Sequence, residues 1–286
     1  MTLHPLLNDP AVRLERLAVP GGQLAVLRRE PVGDPRRGTV LLVPGYSGSK
    51  EDFRLLLAPL ANAGHPVVAV DLRGQFQSPG AEDLTAYATG TLGTDLLAVV
   101  DAVDDGPIHL LGHSFGGLVA RAALLARPAA FRSLVLMGSG PAGLTGSRVE
   151  ILSLLRPLLT RGGIPAVVRA MDALNAGDAR FLALDAPVQA FLRDRMVAAS
   201  PYALLGMADA LTGEPDRVEE LRATGVPVLV LHGEADDAWA PALQAQMAER
   251  LGAAYAVIPG AMHSPAVDNA PATAEAMLSF YEAVEL

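Results

Sequence analysis

The sequence predicts an α/β fold: a mostly parallel eight-stranded sheet with helices on both faces and a helical cap inserted between two strands. Three observations lead there. Short continuous apolar runs recur along the chain, among them Thr39–Val43 (TVLLV), Pro66–Val70 (PVVAV), Ile108–Leu111 (IHLL), Leu134–Met137 (LVLM) and Val228–Leu231 (VLVL). They lack the apolar/polar alternation of a half-exposed strand, so both faces must be covered, as in a parallel sheet clothed by helices. Segments of helical spacing separate these runs, and such alternation implies right-handed crossovers between parallel strands. Finally, the alternation stops between Pro141 and Thr224, where no strand pattern occurs.

The elements follow in order. Residues 12–18 and 23–29 flank Pro20-Gly21-Gly22 and read as a hairpin. Tyr255–Ile258 is a weaker eighth strand. Helical spacing covers Lys50–Ala63, Thr94–Val103, Phe115–Ala126, Pro241–Leu251 and Ala272–Val284. Ser49, with Asp52 three residues on, is a variant of the capping box that opens the first of them. Inside the strandless interval, helical stretches at 147–160, 164–176, 187–198, 202–212 and 216–223 are separated by Gly and Pro. An independent helical domain is the alternative, but the mid-sheet position predicts a lid. Residues 1–140 and 225–286 are then the core, and 141–224 the cap.

Half of the 286 residues are hydrophobic (51%), enough for a large core. The net charge of −9 and the isolated pairs Arg28–Arg29 and Arg36–Arg37 give no basic stripe, so nucleic acid and anionic membranes are not expected partners. Of the 22 basic residues one is lysine, a bias that carries no functional information. There is no cysteine, which removes disulfides, thiolate metal sites and cysteine nucleophiles. The start, MTLHPLLNDP, has neither the basic nor the apolar region of a signal peptide. No apolar run reaches 18 residues. A cytoplasmic protein is expected.

The stretch Gly112-His113-Ser114-Phe115-Gly116-Gly117 lies between a strand and a helix. A serine at such a sharp turn presents its hydroxyl above the sheet edge, with glycines where side chains would strike backbone. The following helix aims its N–H groups and dipole at the same point. Ser114 read alone is equally a helix N-cap. The decision rests on partners. Of six histidines, His4 lies in the tail, His65 enters a strand, and His109 sits within one. His113 adjoins the serine and points elsewhere, and His232 ends a strand. His263, in Pro259-Gly260-Ala261-Met262-His263-Ser264-Pro265, occupies a loop at the strand C-terminal edge, where α/β sheets build their sites. An orienting carboxylate is offered by His232-Gly233-Glu234-Ala235-Asp236-Asp237, with Asp236 preferred and Asp237 the fallback. A metal on these acids with His232 or Glu234 matches no known ligand spacing.

The order Ser114…Asp236…His263 resembles that of the α/β-hydrolases from about residue 22 to 284. The resemblance implies a serine hydrolase, esterase- or lactonase-like, with a helical lid and no cofactor or metal. It implies an oxyanion hole from the N–H groups of Phe115 and Tyr46. Two departures stand out. Pro44-Gly45 replaces the His-Gly that relatives usually carry, and Phe76 replaces the second glycine in Asp71-Leu72-Arg73-Gly74-Gln75-Phe76-Gln77-Ser78. Phe76 is expected to narrow the pocket or pack under the lid, while Asp71 and Arg73 are read as structural ion-pair partners. Gly138-Ser139-Gly140-Pro141-Ala142-Gly143 imitates a dinucleotide-binding loop, but residues 153–168 lack the acid such a site needs.

The expected substrate is a small, largely apolar ester or lactone. The expectation comes from Leu152, Leu155, Leu158, Leu159, Phe181, Phe191 and Met207 of the insertion; Trp239 is read as touching substrate or as packing. Thioester cleavage, C–C bond hydrolysis, cofactor-free perhydrolysis, acyl transfer to an alcohol and a non-catalytic ligand-binding scaffold are the alternatives on the same residues. Oligomeric state is not readable.

Overall fold

The computed structural model describes residues 9–33, 37–103 and 106–285, with the side chain of Ser147 also left aside. His4 and Arg36 lie outside the described residues. Eight strands form one sheet: β1 (Val12–Val19), β2 (Gly22–Arg29), β3 (Val40–Val43), β4 (Val67–Val70), β5 (Ile108–His113), β6 (Phe131–Met137), β7 (Val228–Gly233) and β8 (Ala254–Ile258). Their order is β1-β2-β4-β3-β5-β6-β7-β8. β1 and β2 are a hairpin closed by Pro20-Gly21, with Val19 opposite Gly22, and β2 runs antiparallel to β4. All other pairs are parallel.

The continuous apolar runs do cover two faces. Successive side chains of a strand point oppositely. Leu41, Val43, Val68, Val70, Leu110, Leu134 and Val230 accordingly join one core. Helices α2 (Thr89–Val103), α3 (Phe115–Ala126), α9 (Val218–Ala223) and α10 (Pro241–Leu251) cover that core. Val40, Leu42, Val67, Ala69, Leu111, Val135 and Leu231 join the other, under α1 (Arg54–Asn62) and α12 (Ala270–Glu285). The exposed edge strand β8 explains its weak sequence signal, since Tyr255 and Val257 are each 44% exposed.

Two helix starts differ from expectation. Residues Lys50–Phe53 form a 3-10 turn before α1. The capping box expected there is present, with the Asp52 carboxylate accepting the Ser49 N–H at 3.1 Å. Helix α2 begins five residues earlier than predicted, at Thr89 rather than Thr94. Glycine and threonine there have poor helical propensity, but tertiary contact overrides it, as Gly93 packs on the α3 backbone at Ala122–Ala123.

Between β6 and β7 lie α4 (Ser147–Ser153), α5 (Leu155–Asn175, broken at Gly163), α6 (Ala179–Leu182), α7 (Ala186–Ala198), α8 (Pro201–Gly213) and α9, with no strand. Helices α5, α7 and α8 share a small cluster of their own, including Leu159, Val167, Val168, Met196 and Leu204. Among the described residues no helix is long and apolar enough to cross a membrane.

Asp71 and Arg73 are ion-paired, though not to each other. Arg73 grips Asp95 of α2 with Nε at 2.9 Å and Nη2 at 2.6 Å. Asp71 accepts the Lys50 N–H at 2.8 Å and its Nζ at 2.7 Å, and Glu51 lies 2.9 Å from the same Nζ. Burial pushes the Asp71 pKa up, against the pull of Lys50. Removing one member of a buried pair strands the other's charge, at a cost of about 3–5 kcal/mol. Arg73→Met should therefore lower the unfolding free energy by about that amount in urea denaturation. Arg73→Met combined with Asp95→Leu should recover part of it; a single variant as stable as wild type would contradict the pairing.

Candidate active site

Strand β5 ends at His113 and α3 begins at Phe115, so Ser114 makes the whole corner. Its backbone sits at φ +55°, ψ −122°, a region that costs a non-glycine residue about 1–3 kcal/mol. Crowding enforces it. A Cβ on Gly112 would overlap the Gly116 carbonyl oxygen and the Gly117 Cα, and one on Gly116 would overlap the Val43 and Pro44 carbonyl oxygens. The glycines let α3 close against both its own strand and the β3 loop.

The hydroxyl at this corner is met from two other loops. His263 Nε2 lies 2.9 Å from Ser114 Oγ, and His263 Nδ1 lies 2.9 Å from Asp236 Oδ1. An ionised Asp236 can only accept, so Nδ1 carries the proton and Nε2 faces the hydroxyl as an acceptor. Asp236 also accepts the Ala238 N–H at 2.9 Å and the Gln244 amide at 2.9 Å. Burial opposes its charge, but the hydrogen bond and charge of His263 and these donors outweigh it and hold the carboxyl below the usual range. Asp237 turns away, half exposed, to Arg148 at 2.5 Å. Of the two acids, Asp236 is the one placed beside His263. The suggested metal set is dispersed as well: His232 binds the Tyr255 hydroxyl at 2.7 Å and Glu234 accepts the Gly260 N–H at 3.1 Å.

Gly45 abuts the serine, so closely that a Cβ there would stand 3.0 Å from Ser114 Cβ. The N–H groups of Tyr46, next in the chain, and of Phe115 donate to no protein acceptor among the described residues. The Tyr46 ring spans the cleft and its hydroxyl donates to the Leu204 carbonyl of α8 at 2.9 Å.

A cleft of about 920 Å³ opens above Ser114, His263, Gly45 and Tyr46. The segment between β6 and β7 contributes Leu144, Ile151, Leu152, Phe181, Leu184 and Leu192, together with Arg148, Arg180 and Arg195. Of the apolar residues expected there, only Leu152 and Phe181 line it. Phe191 and Met207 are 2% and 1% exposed core residues, and Leu155, Leu158 and Leu159 pack in the insertion's own cluster. Phe76, at φ +32°, meets the Phe191 ring edge-on at 5.5 Å, so it packs under the inserted helices. Trp239 is buried, donates to the Ala142 carbonyl at 3.2 Å, and lies outside the cleft lining.

Three contributors escaped the sequence reading. The Gln75 amide donates to the Gly45 carbonyl at 2.8 Å and so fixes the Tyr46 loop. Gln244 binds Asp236. His113 Nε2 donates to the His263 carbonyl at 2.8 Å. Gln75 and Gln244 have no local sequence signature, while His113 was visible but unassigned. The imitation dinucleotide loop also finds its cause: Gly138 packs against His263 and Asp236, Gly140 against the Trp239 ring, and Gly143 against the Thr212 carbonyl.

His113 tests this packing. Burial first, and His263 next, hold its pKa down to about 4, against about 6.5 in an unfolded chain. Unfolding between those values takes up a proton. The group's contribution to stability is therefore whole above about pH 6.5 and is lost as pH falls toward 4. His113→Gln should flatten the loss of stability in that window by about 1.4 kcal/mol per pH unit. Urea midpoints at about pH 7 and pH 4.5 measure it; equal falls in both proteins would refute it.

The family model described as the Alpha/beta hydrolase family matches residues 40–276. The chain is 31% identical over 281 residues to the polyketide synthase ThaQ of Burkholderia thailandensis, covering 95% of this chain and 13% of that one. It is 31% identical over 260 residues to the pimeloyl-[acyl-carrier protein] methyl ester esterase of Neisseria meningitidis, covering 86% and 77%. A putative carbamate hydrolase, RutD, of Variovorax paradoxus is 40% identical over 100 residues, 35% of this chain and 37% of that one. The chain thus spans only a minor part of the length of the first and last of these relatives. The crystal structure of the enol-lactonase from Burkholderia xenovorans LB400 superposes with a TM-score of 0.80 at 21% identity, covering 94% of this chain and 100% of that one.

Proposed function

Because the chain belongs to the alpha/beta hydrolase family, we propose that it is a serine hydrolase cleaving a carboxylic ester or lactone of a largely apolar small molecule through an acyl-enzyme on Ser114. The observation that carries this reading is the unbroken relay of two 2.9 Å contacts from Ser114 Oγ through His263 to Asp236. The similarity to the Neisseria methyl ester esterase agrees with it.

In the proposed mechanism His263 Nε2 takes the Ser114 proton as Oγ attacks the substrate carbonyl. Asp236 holds the Nδ1–H tautomer and stabilises the imidazolium. The carbonyl oxygen gains charge and is met by the Tyr46 and Phe115 N–H groups at the start of α3, where the helix dipole also favours an anion. His263 then gives its proton to the leaving alkoxide. Water, deprotonated by the same nitrogen, attacks the acyl-enzyme and releases the acid. No step calls for a metal or an organic cofactor. Residues 141–224 serve as the cap and 1–140 with 225–286 as the catalytic core in this reading. The cleft between them, walled by leucines and Phe181, supports an apolar acyl or alcohol portion.

A second reading, thioester hydrolysis, is favoured by one observation: the polyketide synthase segment aligns along nearly the whole chain. Matched ester and thioester substrates of one acyl group separate the two by kcat/KM.

A fluorophosphonate probe followed by intact-mass measurement tests the shared core of both. One adduct on the wild type and none on Ser114→Ala is expected, with hydrolysis lowered more than about 10³-fold in the variant. A folded wild type that takes no adduct from either a bulky or a small probe would sink the proposal.

A further inference from the structure

At the other end of the sheet a second group of side chains converges, with no part in the proposed hydrolysis. His65, after α1, is fully buried. Its Nδ1 lies 2.8 Å from the Gly38 carbonyl. A carbonyl only accepts, so Nδ1 carries the proton and Nε2 is a bare lone pair. That Nε2 is buried with no partner among the described residues, an unsatisfied acceptor that burial penalises. His109 in β5 is fully buried too, with Nδ1 2.7 Å from the Ser133 hydroxyl and Nε2 3.2 Å from Glu285 Oε1 in the last turn of α12. One ligand atom each from His65, His109 and Glu285 lies within 4.8 Å of the others. Tyr281, one turn back on α12, packs its ring on both imidazoles at 5.4 and 4.3 Å, and its buried hydroxyl also lacks a partner among the described residues.

We propose that His65, His109 and Glu285 form a structural site for one zinc-type divalent ion that fastens α12 to β5. Two imidazoles and one carboxylate are a ligand set suited to zinc. The 3.2 Å gap between His109 and Glu285 is close to the roughly 3.4 Å that two ligands keep on a tetrahedral ion with bonds of about 2.1 Å. The Nδ1 contacts to Gly38 and Ser133 are the outer hydrogen bonds that orient metal-bound histidines.

Without metal, His109 Nε2–H faces the Glu285 carboxylate. Binding moves that proton to Nδ1, and the Ser133 hydroxyl rotates from donor to acceptor, so no proton is lost overall. Opposing charge comes from Arg37, 3.6 Å from Glu285, and from Arg132, which faces His109 across Gly38. Arg37 keeps Glu282 as a partner at 3.4 Å when Glu285 turns to the ion. The site lies five residues before Ser114 along β5, about 16 Å away, and stands or falls apart from the hydrolase reading.

The test titrates zinc chloride into the chelator-treated full chain by calorimetry, with zinc per chain counted after dialysis and Tm recorded with and without metal. One ion per chain and a raised Tm are expected. Glu285→Gln, at a partly exposed position that the fold tolerates, should weaken binding at least tenfold, and His65→Gln likewise. His263→Ala should bind as wild type does. Cobalt(II) in place of zinc should give visible absorption bands of tetrahedral type. No binding by wild type, equal binding by Glu285→Gln, or loss of binding in His263→Ala would overturn the site. If His65→Gln fails to fold, Glu285→Gln alone decides.

Discussion

Backbone packed on backbone at the β5–α3 corner is the constraint on which the rest of the structure depends. Val43 pairs with Gly112 across the sheet, and the first turn of α3 lies against the carbonyls of Val43 and Pro44. This closeness leaves Ser114 only a left-handed conformation. It also brings the Tyr46 loop beside the serine, so the Ser114 hydroxyl and that loop are positioned by one contact. The loops of His263 and Asp236 can then be ordinary surface loops, because the strands β7 and β8 that deliver them are in register with β6 and β5. Local contacts and one distant one fasten them: Asp268 accepts the Met262 N–H at 2.9 Å, Gln244 joins Asp236 to the Trp239 carbonyl at 2.8 Å, and His113 donates to the His263 carbonyl at 2.8 Å.

Much of this was readable in the chain because it rests on patterns of short range. Buried parallel strands must be apolar on both faces, so TVLLV and VLVL announce themselves. The glycines around Ser114 mark a tight strand-to-helix turn, legible in a short stretch of sequence even though part of the crowding comes from Val43 and Pro44. What was hidden depends on distant partners. Gln75 reaches Gly45, and Gln244 reaches Asp236, through folding alone. His65, His109 and Glu285 are separated by up to 220 positions, beyond any spacing rule. Helix α2 was shortened in the reading because Thr89–Gly93 is helical for reasons of packing, not propensity. The largely apolar cleft follows from the leucines of the inserted segment, whereas Arg148, Arg180 and Arg195 line it too, from the same helices as Leu152, Phe181 and Leu192.

Polar ties join the inserted helices to the core at several points, among them Arg148 to Asp237 and Thr89 to Glu214. Arg195 of α7 reaches Asp52 at 2.6 Å, and the Tyr46 hydroxyl reaches the Leu204 carbonyl of α8. At the chain crossing back to β7, buried Arg121 binds the Pro141 carbonyl and lies 3.2 Å from Glu214. These hold both ends of the inserted segment near α3, while its middle helices contribute walls of the cleft and none of the Ser114–His263–Asp236 contacts. Wall chemistry and relay geometry are therefore carried by different stretches of chain, and substitutions in one need not disturb the other.

Lys50 carries a consequence outside binding and stability. It is the one lysine of the sequence, it is fully buried, and its ammonium is enclosed by Asp71, Glu51 and the face of Phe76 at 4.9 Å. The folded surface thus offers no lysine amine to acylating reagents, aldehyde crosslinkers or enzymes that attach modifiers to lysine. Covalent capture on an amine-reactive support would find no lysine side chain on the native protein, and lysine labelling would become a direct signal that the region beneath Phe76 has opened.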